Sequence, residues 1–414
     1  MPLSSLLLLA AAYGSANPDC GTRLCNASAL RPVASQIANA GKQPVHILQI
    51  GDSHTASDML SEGWRIALYE RYGSAGRGVV SGGRPHKGYL TWGINATQSP
   101  GWAVNGIFGS VWQQGGPGVG LSGFTKTARA PGEYLALVSE SVSNTFDRFV
   151  LCGLSGPGQG TVSVDMGSAR DTFSFEAPAY QPVCHEFRSP TFTTTVTMTT
   201  LDANPVSITS MATFRTSGGV TLSNLGVSGS QLQHFARTSD AVLAAELAAY
   251  RPDFIVLAFG TNEGFDANFS ADFFRETLRN QVRRLRRLAG RNVPIMLLGP
   301  PNAMTRSWPI ASAGSFAPTL CETGLLVPGH IAEVRSVQRA VAADMGLAYW
   351  DWARAMGGEC AMYQWRAEGL TYRDAVHFNR YGGARLGTQL QADFQQAMFG
   401  AAMDDAGSSS PGVQ

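Results

Sequence analysis

The chain has 414 residues, 44% of them apolar, with 47 glycines and a formal net charge of +1 at neutral pH. That length allows one large or two moderate domains with ample core. The near-zero charge removes any general electrostatic case for a nucleic-acid partner. No run approaches the ~20 apolar residues of a bilayer-spanning helix.

The N-terminal "LLLLAAA", followed by Gly14, Ser15 and Ala16, reads as a secretory signal over 1–16. Its leading "MPLSS" lacks Lys and Arg, so a first buried helix is the alternative. Cys20, Cys25, Cys152, Cys184, Cys321 and Cys360 form an even set that suits export and three disulfides. Nearest-neighbour pairing is the simplest arrangement. No C-x-x-C or clustered His/Cys spacing points to zinc. The expectation is an exported, periplasmic or secreted monomer that needs no metal or cofactor.

Next come a strand, "VHILQI", and a helix, "SDMLSEGWRIALYERYG", with Met59, Leu60, Trp64, Leu68 and Tyr72 near helical spacing. From about 76 to 222 the chain turns Gly-, Thr- and Ser-rich. Short runs such as "DRFVLCGL", "GTVSVDMG", "TFTTTVTMTT" and "GVTLSN" alternate or are β-branched. That texture predicts an antiparallel sandwich or barrel. From 225 onward helices alternate with the strands "DFIVLAFG", "VPIMLLGP" and "LAYWDW", which implies a parallel sheet with helices on both faces. "QLQHFARTSDAVLAAELAAY" reads as one helix. The expected organisation is an α/β catalytic domain over 30–110 and 223–400, interrupted by a β-rich insert over 111–222. Residues 76–110 fit either part, and 403–414 read as a disordered tail.

Four places at strand ends could carry chemistry. "QIGDSH" puts Ser53 just after a strand and before a helix, where backbone N–H groups and partial positive charge favour an oxyanion. Ser53 reads equally as a helix N-cap. "LGVSGSQL" offers Gly229, whose missing Cβ lets a backbone N–H approach a ligand. "FGTNEG" offers Asn262, whose amide suits an oxyanion hole or a plain turn. "YRDAVHFNRYGG" sets Asp374 three residues before His377. A serine needs a base, and an imidazole needs a carboxylate to set its tautomer. Taken alone, His377 could instead cap the last helix.

Together these blocks, Gly51-Asp52-Ser53, Gly229, Gly260-Thr261-Asn262 and Asp374-x-x-His377, resemble the SGNH, or GDSL-like, hydrolases. With "QIGDSHTASD" and an intervening β-rich stretch, the sequence is most similar to the bacterial peptidoglycan O-acetylesterases. The resemblance implies a flavodoxin-like three-layer α/β/α fold of about five parallel strands, interrupted by a β-sandwich of carbohydrate-binding type. It implies Ser53 as nucleophile, His377 as base and Asp374 as its partner. It places the Ser53 and Gly229 N–H groups and the Asn262 side chain in the oxyanion hole. An O-acetylated polysaccharide, peptidoglycan above all, would be the substrate. Acetyl transfer to a sugar, another polysaccharide or lipid ester, and a non-catalytic sugar-binding protein are the rivals.

Glu263 departs from the family's usual Asp. His54, next to Ser53, faces about 100° away on a helix and so suits a hydrogen-bonded support rather than a base. Asp52 is expected to tie the turn through backbone bonds. Trp92, Trp102 and Trp112 could stack on sugars or plug a junction. Arg283, Arg284, Arg286, Arg287 and Arg291 line the solvated face of a helix whose Leu278, Val282, Leu285 and Leu288 face inward.

Overall fold

The computed structural model describes residues 20, 23–308, 317–321 and 324–400. The signal-like segment 1–16 and the tail 403–414 lie outside the described residues. Five short runs become parallel strands: β1 (Val45–Gly51), β2 (Val220–Gly226), β3 (Phe254–Ala258), β4 (Ile295–Leu298) and β5 (Ala348–Trp350), all apolar but β2. Their order across the sheet is β5-β4-β3-β1-β2, with Leu24–Cys25 added antiparallel beside β5. Read from the other edge this is the flavodoxin-like order 2-1-3-4-5, whose reversal point lies between β1 and β3.

Period-two alternation splits each strand between two cores. Val45, Ile47, Val220, Leu222, Val256, Met296 and Trp350 face one layer, with α1 (Arg31–Ala38), α2 (Met59–Tyr72) and α6 (Arg380–Phe399). Leu48, Ile50, Leu225, Leu257, Leu297 and Tyr349 face the other. That second layer holds α3 (Asp240–Tyr250), α4 (Ala271–Leu288) and α5 (Gly329–Met345). The three-layer α/β/α arrangement is therefore present.

The insert is a β-sandwich. One sheet runs 170–174, 161–165, 195–200, 134–139, 94–98, and the other runs 181–193, 146–155, 206–214, 124–128, 103–106. Between them Leu135, Leu137, Val164, Met198, Phe149, Leu151, Ile208 and Met211 form a separate core. Strand membership puts the edges of this unit elsewhere than 111 and 222. Residues 78–80, 94–98 and 103–106 belong to its sheets, and "GVTLSN" is β2 of the parallel sheet. The physical reason is that β2 looks like an insert strand locally. Only its parallel pairing with β1, Val220 opposite Val45 through Gly226 opposite Gly51, assigns it. The long helix read over 231–250 is two, Leu232–Phe235 and α3, because Ser239 restarts the chain as the N-cap of α3.

Glu246 on α3 fastens the insert to the catalytic layers. It accepts hydrogen bonds from Thr209 Oγ1 (2.7 Å), Ser210 Oγ (2.5 Å) and Leu121 N (2.6 Å). The disulfides are Cys20–Cys25, Cys152–Cys184 and Cys321–Cys360, the nearest-neighbour set. The middle one joins directly opposed residues of two insert strands. Among the described residues no helix is long and apolar enough to cross a membrane.

One packing contact positions the site. Helix α2 follows the Ser53 turn and α6 follows the Asp374–His377 turn. The two helices meet closely at Gly63, Gly383 and Gly387; a methyl on Gly387 would lie 2.2 Å from the Trp64 backbone nitrogen. Trp64 Nε1 donates to Gln391 Oε1 at 2.9 Å across the same contact.

Candidate active site

Strand β1, buried along its whole length, ends at Gly51 beside β3. A Cβ at Gly51 would fall 2.4 Å from the Ala258 carbonyl oxygen, so only glycine permits this approach. Asp52 then caps the short helix Ser53–Ala56, its Oδ1 accepting from His54 N at 3.0 Å. The far end of that turn is held at Thr55, whose carbonyl accepts from Asn224 Nδ2 (2.9 Å) and whose hydroxyl accepts from Gln49 Nε2 (3.0 Å). Burial pushes the Asp52 carboxyl up to about 6, against hydrogen bonds from His54 and Thr261 that favour its ionised form.

The structure brings Asp374 and His377 to Ser53. His377 Nε2 lies 2.8 Å from Ser53 Oγ, and His377 Nδ1 lies 2.7 Å from Asp374 Oδ2. A carboxylate only accepts, so Nδ1 carries the imidazole proton and the Nε2 lone pair faces the serine hydroxyl. Partial burial opposes ionisation of Asp374. The His377 ring and the N–H groups of His377 (3.0 Å) and Val376 (2.9 Å) outweigh it and hold that carboxyl well below its usual range. The turn adopts an uncommon backbone: Ala375 has φ +57° and is buried, and its carbonyl accepts from Met304 N at 2.9 Å. The cap of α6 is Asn379, which accepts from Gly382 N, so His377 is not the cap.

Gly229 and Asn262 follow β2 and β3 at the same sheet edge. Gly229 has φ +77°, and a Cβ there would meet the Phe108 ring at 2.8 Å. Three hydrogen bonds clamp the two segments together. Asn262 Nδ2 donates to Ser230 O (2.8 Å), Gln231 Nε2 to Asn262 O (3.2 Å) and Leu232 N to Glu263 Oε1 (2.7 Å). One amide hydrogen of Asn262 thus orients the group, and the second has no hydrogen-bond partner among the described residues.

Glu263 Oε2 is buried without a partner. Burial pushes this carboxyl up to about 8, with the nearby Asp52 charge adding to the rise. The folded chain therefore holds a proton on Glu263 that the unfolded chain gives up near 4.5. Stability from this group is lost as pH rises from about 4.5 to about 8. Glu263→Gln, which mimics the protonated acid, is expected to raise the urea midpoint more at pH 9 than at pH 5. Equal shifts at both pH values would contradict the assignment.

His54 differs from its sequence reading. It is 5% exposed, and its Nε2 is buried with no hydrogen-bond partner. Ring packing supports it instead: Trp352, His377 and Phe378 lie 5.3, 5.1 and 5.8 Å away, centroid to centroid. No described residue makes the hydrogen bond to Nε2 that the sequence reading expected. Burial, with the neighbouring His377, pushes the His54 imidazole well below its usual range and keeps it uncharged. The three tryptophans separate. Trp102 is buried in the insert, Trp92 lies against Arg380 (4.4 Å), and Trp112 is exposed and stacked on Arg237 (4.0 Å).

Sequence reasoning missed a buried ion cluster behind the Ser53 turn. Asp58, fully buried, pairs with Arg65 (2.7 Å) and Arg77 (2.8 Å), and both arginines reach Asn224 Oδ1. Asn224 Nδ2 in turn holds Thr55. No local spacing marks positions 58, 65, 77 and 224 as partners, so the sequence carries no signal for them.

Residues 207–385 match the model of the GDSL-like Lipase/Acylhydrolase family. The chain carries a GDSL-like carboxylic ester hydrolase domain. A solved peptidoglycan O-acetylesterase superposes with a TM-score of 0.73 at 24% identity, covering 91% of this chain and 99% of that one. It shares the whole fold, insert included. A family two carbohydrate esterase from Cellvibrio japonicus aligns at 13% identity over 74% of this chain and 98% of that one, with a TM-score of only 0.27. No curated protein matches in sequence. The family match begins after Ser53, whose turn comes from a segment on the far side of the insert.

Proposed function

We propose that the chain is an exported serine esterase that removes O-linked acetyl groups from a cell-wall polysaccharide, peptidoglycan in particular. The observation that carries this reading is the unbroken Ser53–His377–Asp374 hydrogen-bond chain of 2.8 and 2.7 Å. Ser53 Oγ attacks the acetyl carbonyl as His377 Nε2 takes its proton. The Ser53 and Gly229 N–H groups and the Asn262 amide stabilise the tetrahedral oxyanion. His377 returns the proton to the departing sugar hydroxyl, leaving an acetyl-Ser53 ester. Water, deprotonated by the same imidazole, then releases acetate. The His377 side chain is 32% exposed, which gives water a route to it. The name of the solved structural relative supports peptidoglycan, and the three disulfides support an oxidising compartment.

The test is acetate release from O-acetylated peptidoglycan, compared with O-acetylated xylan and a long-chain ester. The expected order is peptidoglycan first. Release from xylan alone would redirect the assignment, and acetyl transfer to an added sugar in place of release would favour the transferase. Asn262→Ala is expected to lower kcat by about 10²–10³-fold with little change in KM. An unchanged kcat would remove Asn262 from the oxyanion hole.

A further inference from the structure

Beyond β3 the chain places Thr261, Asn262 and Glu263 in succession, with opposite exposures. Thr261 and Glu263 are 3% and 5% exposed, and Asn262 between them is only half-buried. The three open the short helix Thr261–Gly264, which sits directly on α5. A Cβ at Gly264 would fall 2.3 Å from Ile331 Cγ1, and one at Gly260 would fall 2.9 Å from Val334 Cγ1. Gln338 Nε2, also on α5, donates to Phe259 O at 2.8 Å. The turn thus rests on a long helix rather than hanging free.

Each of the three residues ties this turn to a neighbouring one. Thr261 donates from its N–H and its hydroxyl to the Asp52 carboxyl, which caps the Ser53 turn through His54 N. Glu263 Oε1 accepts from Leu232 N (2.7 Å), three residues past Gly229. Asn262 Nδ2 donates to the carbonyl of Ser230 (2.8 Å), the residue after Gly229. One buried side chain therefore reaches toward Ser53 and the other toward Gly229, with the exposed amide between them.

We propose that Thr261 and Glu263 are positioning residues that set the spacing of the oxyanion donors, Thr261 on the Ser53 side and Glu263 on the Gly229 side. The proposal rests on reading the chain as a serine esterase with Ser53, Gly229 and Asn262 as its oxyanion hole. Those donors belong to three separate loops, so no local geometry fixes the distances among them. An oxyanion hole needs each donor within about 2.7–3.1 Å of the place where the charged oxygen forms. A misplacement of about 1 Å can cost 10²-fold in rate. Fastening both outer loops to the residues on either side of Asn262 makes the spacing a property of one short, seated helix. Thr261 and Glu263 act through the donors and carry no step of the reaction themselves.

The test is steady-state hydrolysis of an aryl acetate at neutral pH by variants of the full chain. Glu263→Ala is expected to lower kcat by about 10–10²-fold with KM within about twofold, because the hole is used only once the oxyanion forms. Glu263→Met, which keeps the bulk, gives the same readout if the smaller side chain costs too much stability. Glu263→Gln keeps an acceptor for Leu232 N and should hold kcat within about threefold of native. Thr261→Val keeps the shape, loses one donor to Asp52, and should lower kcat by about three- to tenfold with KM unchanged. Glu263→Ala joined to Asn262→Ala should cost less than the product of the two single losses, since both act on one hole. A contact that served stability alone would lower the melting temperature and leave the kcat of the folded enzyme native. Native kcat in folded Glu263→Ala or Glu263→Met, or an equal loss in Glu263→Gln, overturns the Gly229 side. Native kcat in Thr261→Val overturns the Ser53 side. No turnover by the native chain would overturn the esterase reading and this proposal with it, whereas turnover that these variants leave undisturbed overturns the proposal alone.

Discussion

Ser53→Ala is expected to abolish hydrolysis of a small aryl acetate, lowering kcat by about 10⁵–10⁶-fold while circular dichroism and melting stay native. Ser53 Oγ is the one hydroxyl within hydrogen-bond distance of His377 Nε2 among the described residues. Nothing else there offers a nucleophile the imidazole can deprotonate. Removing the hydroxyl leaves the oxyanion donors in place, so residual rate above water should survive. His377→Ala should cost as much, and the double variant little more, because the pair acts as a unit. The half-buried Ser53 side chain carries no structural load comparable to the buried carboxylates, so a collapse of the fold is not expected. Near-native turnover by Ser53→Ala would refute the triad.

Asp58→Asn is expected to destabilise the chain by about 3–5 kcal/mol, measured by urea unfolding. Two guanidinium groups, Arg65 and Arg77, are buried around this one carboxylate. Asp58 also accepts from Ser61 Oγ (2.6 Å) and Trp92 N (2.9 Å). The cluster already holds two cations against one anion, and Arg77 Nη1 has no partner. Burial, with Arg65 beside it, pushes the Arg77 guanidinium below its usual range. Neutralising Asp58 would leave both charges uncompensated in a dry interior. The loss should reach the active site through Asn224, which both arginines hold and which holds Thr55 two residues past Ser53. A stability change under ~0.5 kcal/mol, the range of an ordinary surface substitution, would mean that solvent reaches the cluster.

Local chemistry made much of the α/β portion legible. The runs at 45–50, 254–259 and 295–298 are apolar enough to be buried strands, and the segments between them have helical period and length. Ser53, Gly229, Asn262 and Asp374-x-x-His377 were visible because each follows such a strand or opens such a helix. Other features had no local signature. The strand 220–226 shares its Thr- and Ser-rich texture with the insert, and only pairing with β1 separates it. Residues 78–106 are Gly-rich loop by composition, yet they supply three strands to the antiparallel sheets. His54 looked like a polar support because its type and neighbours suggest one. The aromatic cage around it comes from Trp352 and Phe378, some three hundred residues away.

By itself, the sequence determined which residue types stand at which strand ends, since periodicity and turn chemistry are properties of neighbouring residues. It also determined that the cysteines are even in number and spaced as neighbours. Tertiary structure alone decided that Ser53 and His377, 324 positions apart, lie 2.8 Å from one another. That distance depends on the sheet order, which puts β1 beside β3, and on the close α2–α6 contact at Gly63, Gly383 and Gly387. Both are long-range packing outcomes, whose free energy no local stretch contains. The partners of Asp58 and the cage of His54 belong to the same class. They arise where segments distant in the chain exclude water together.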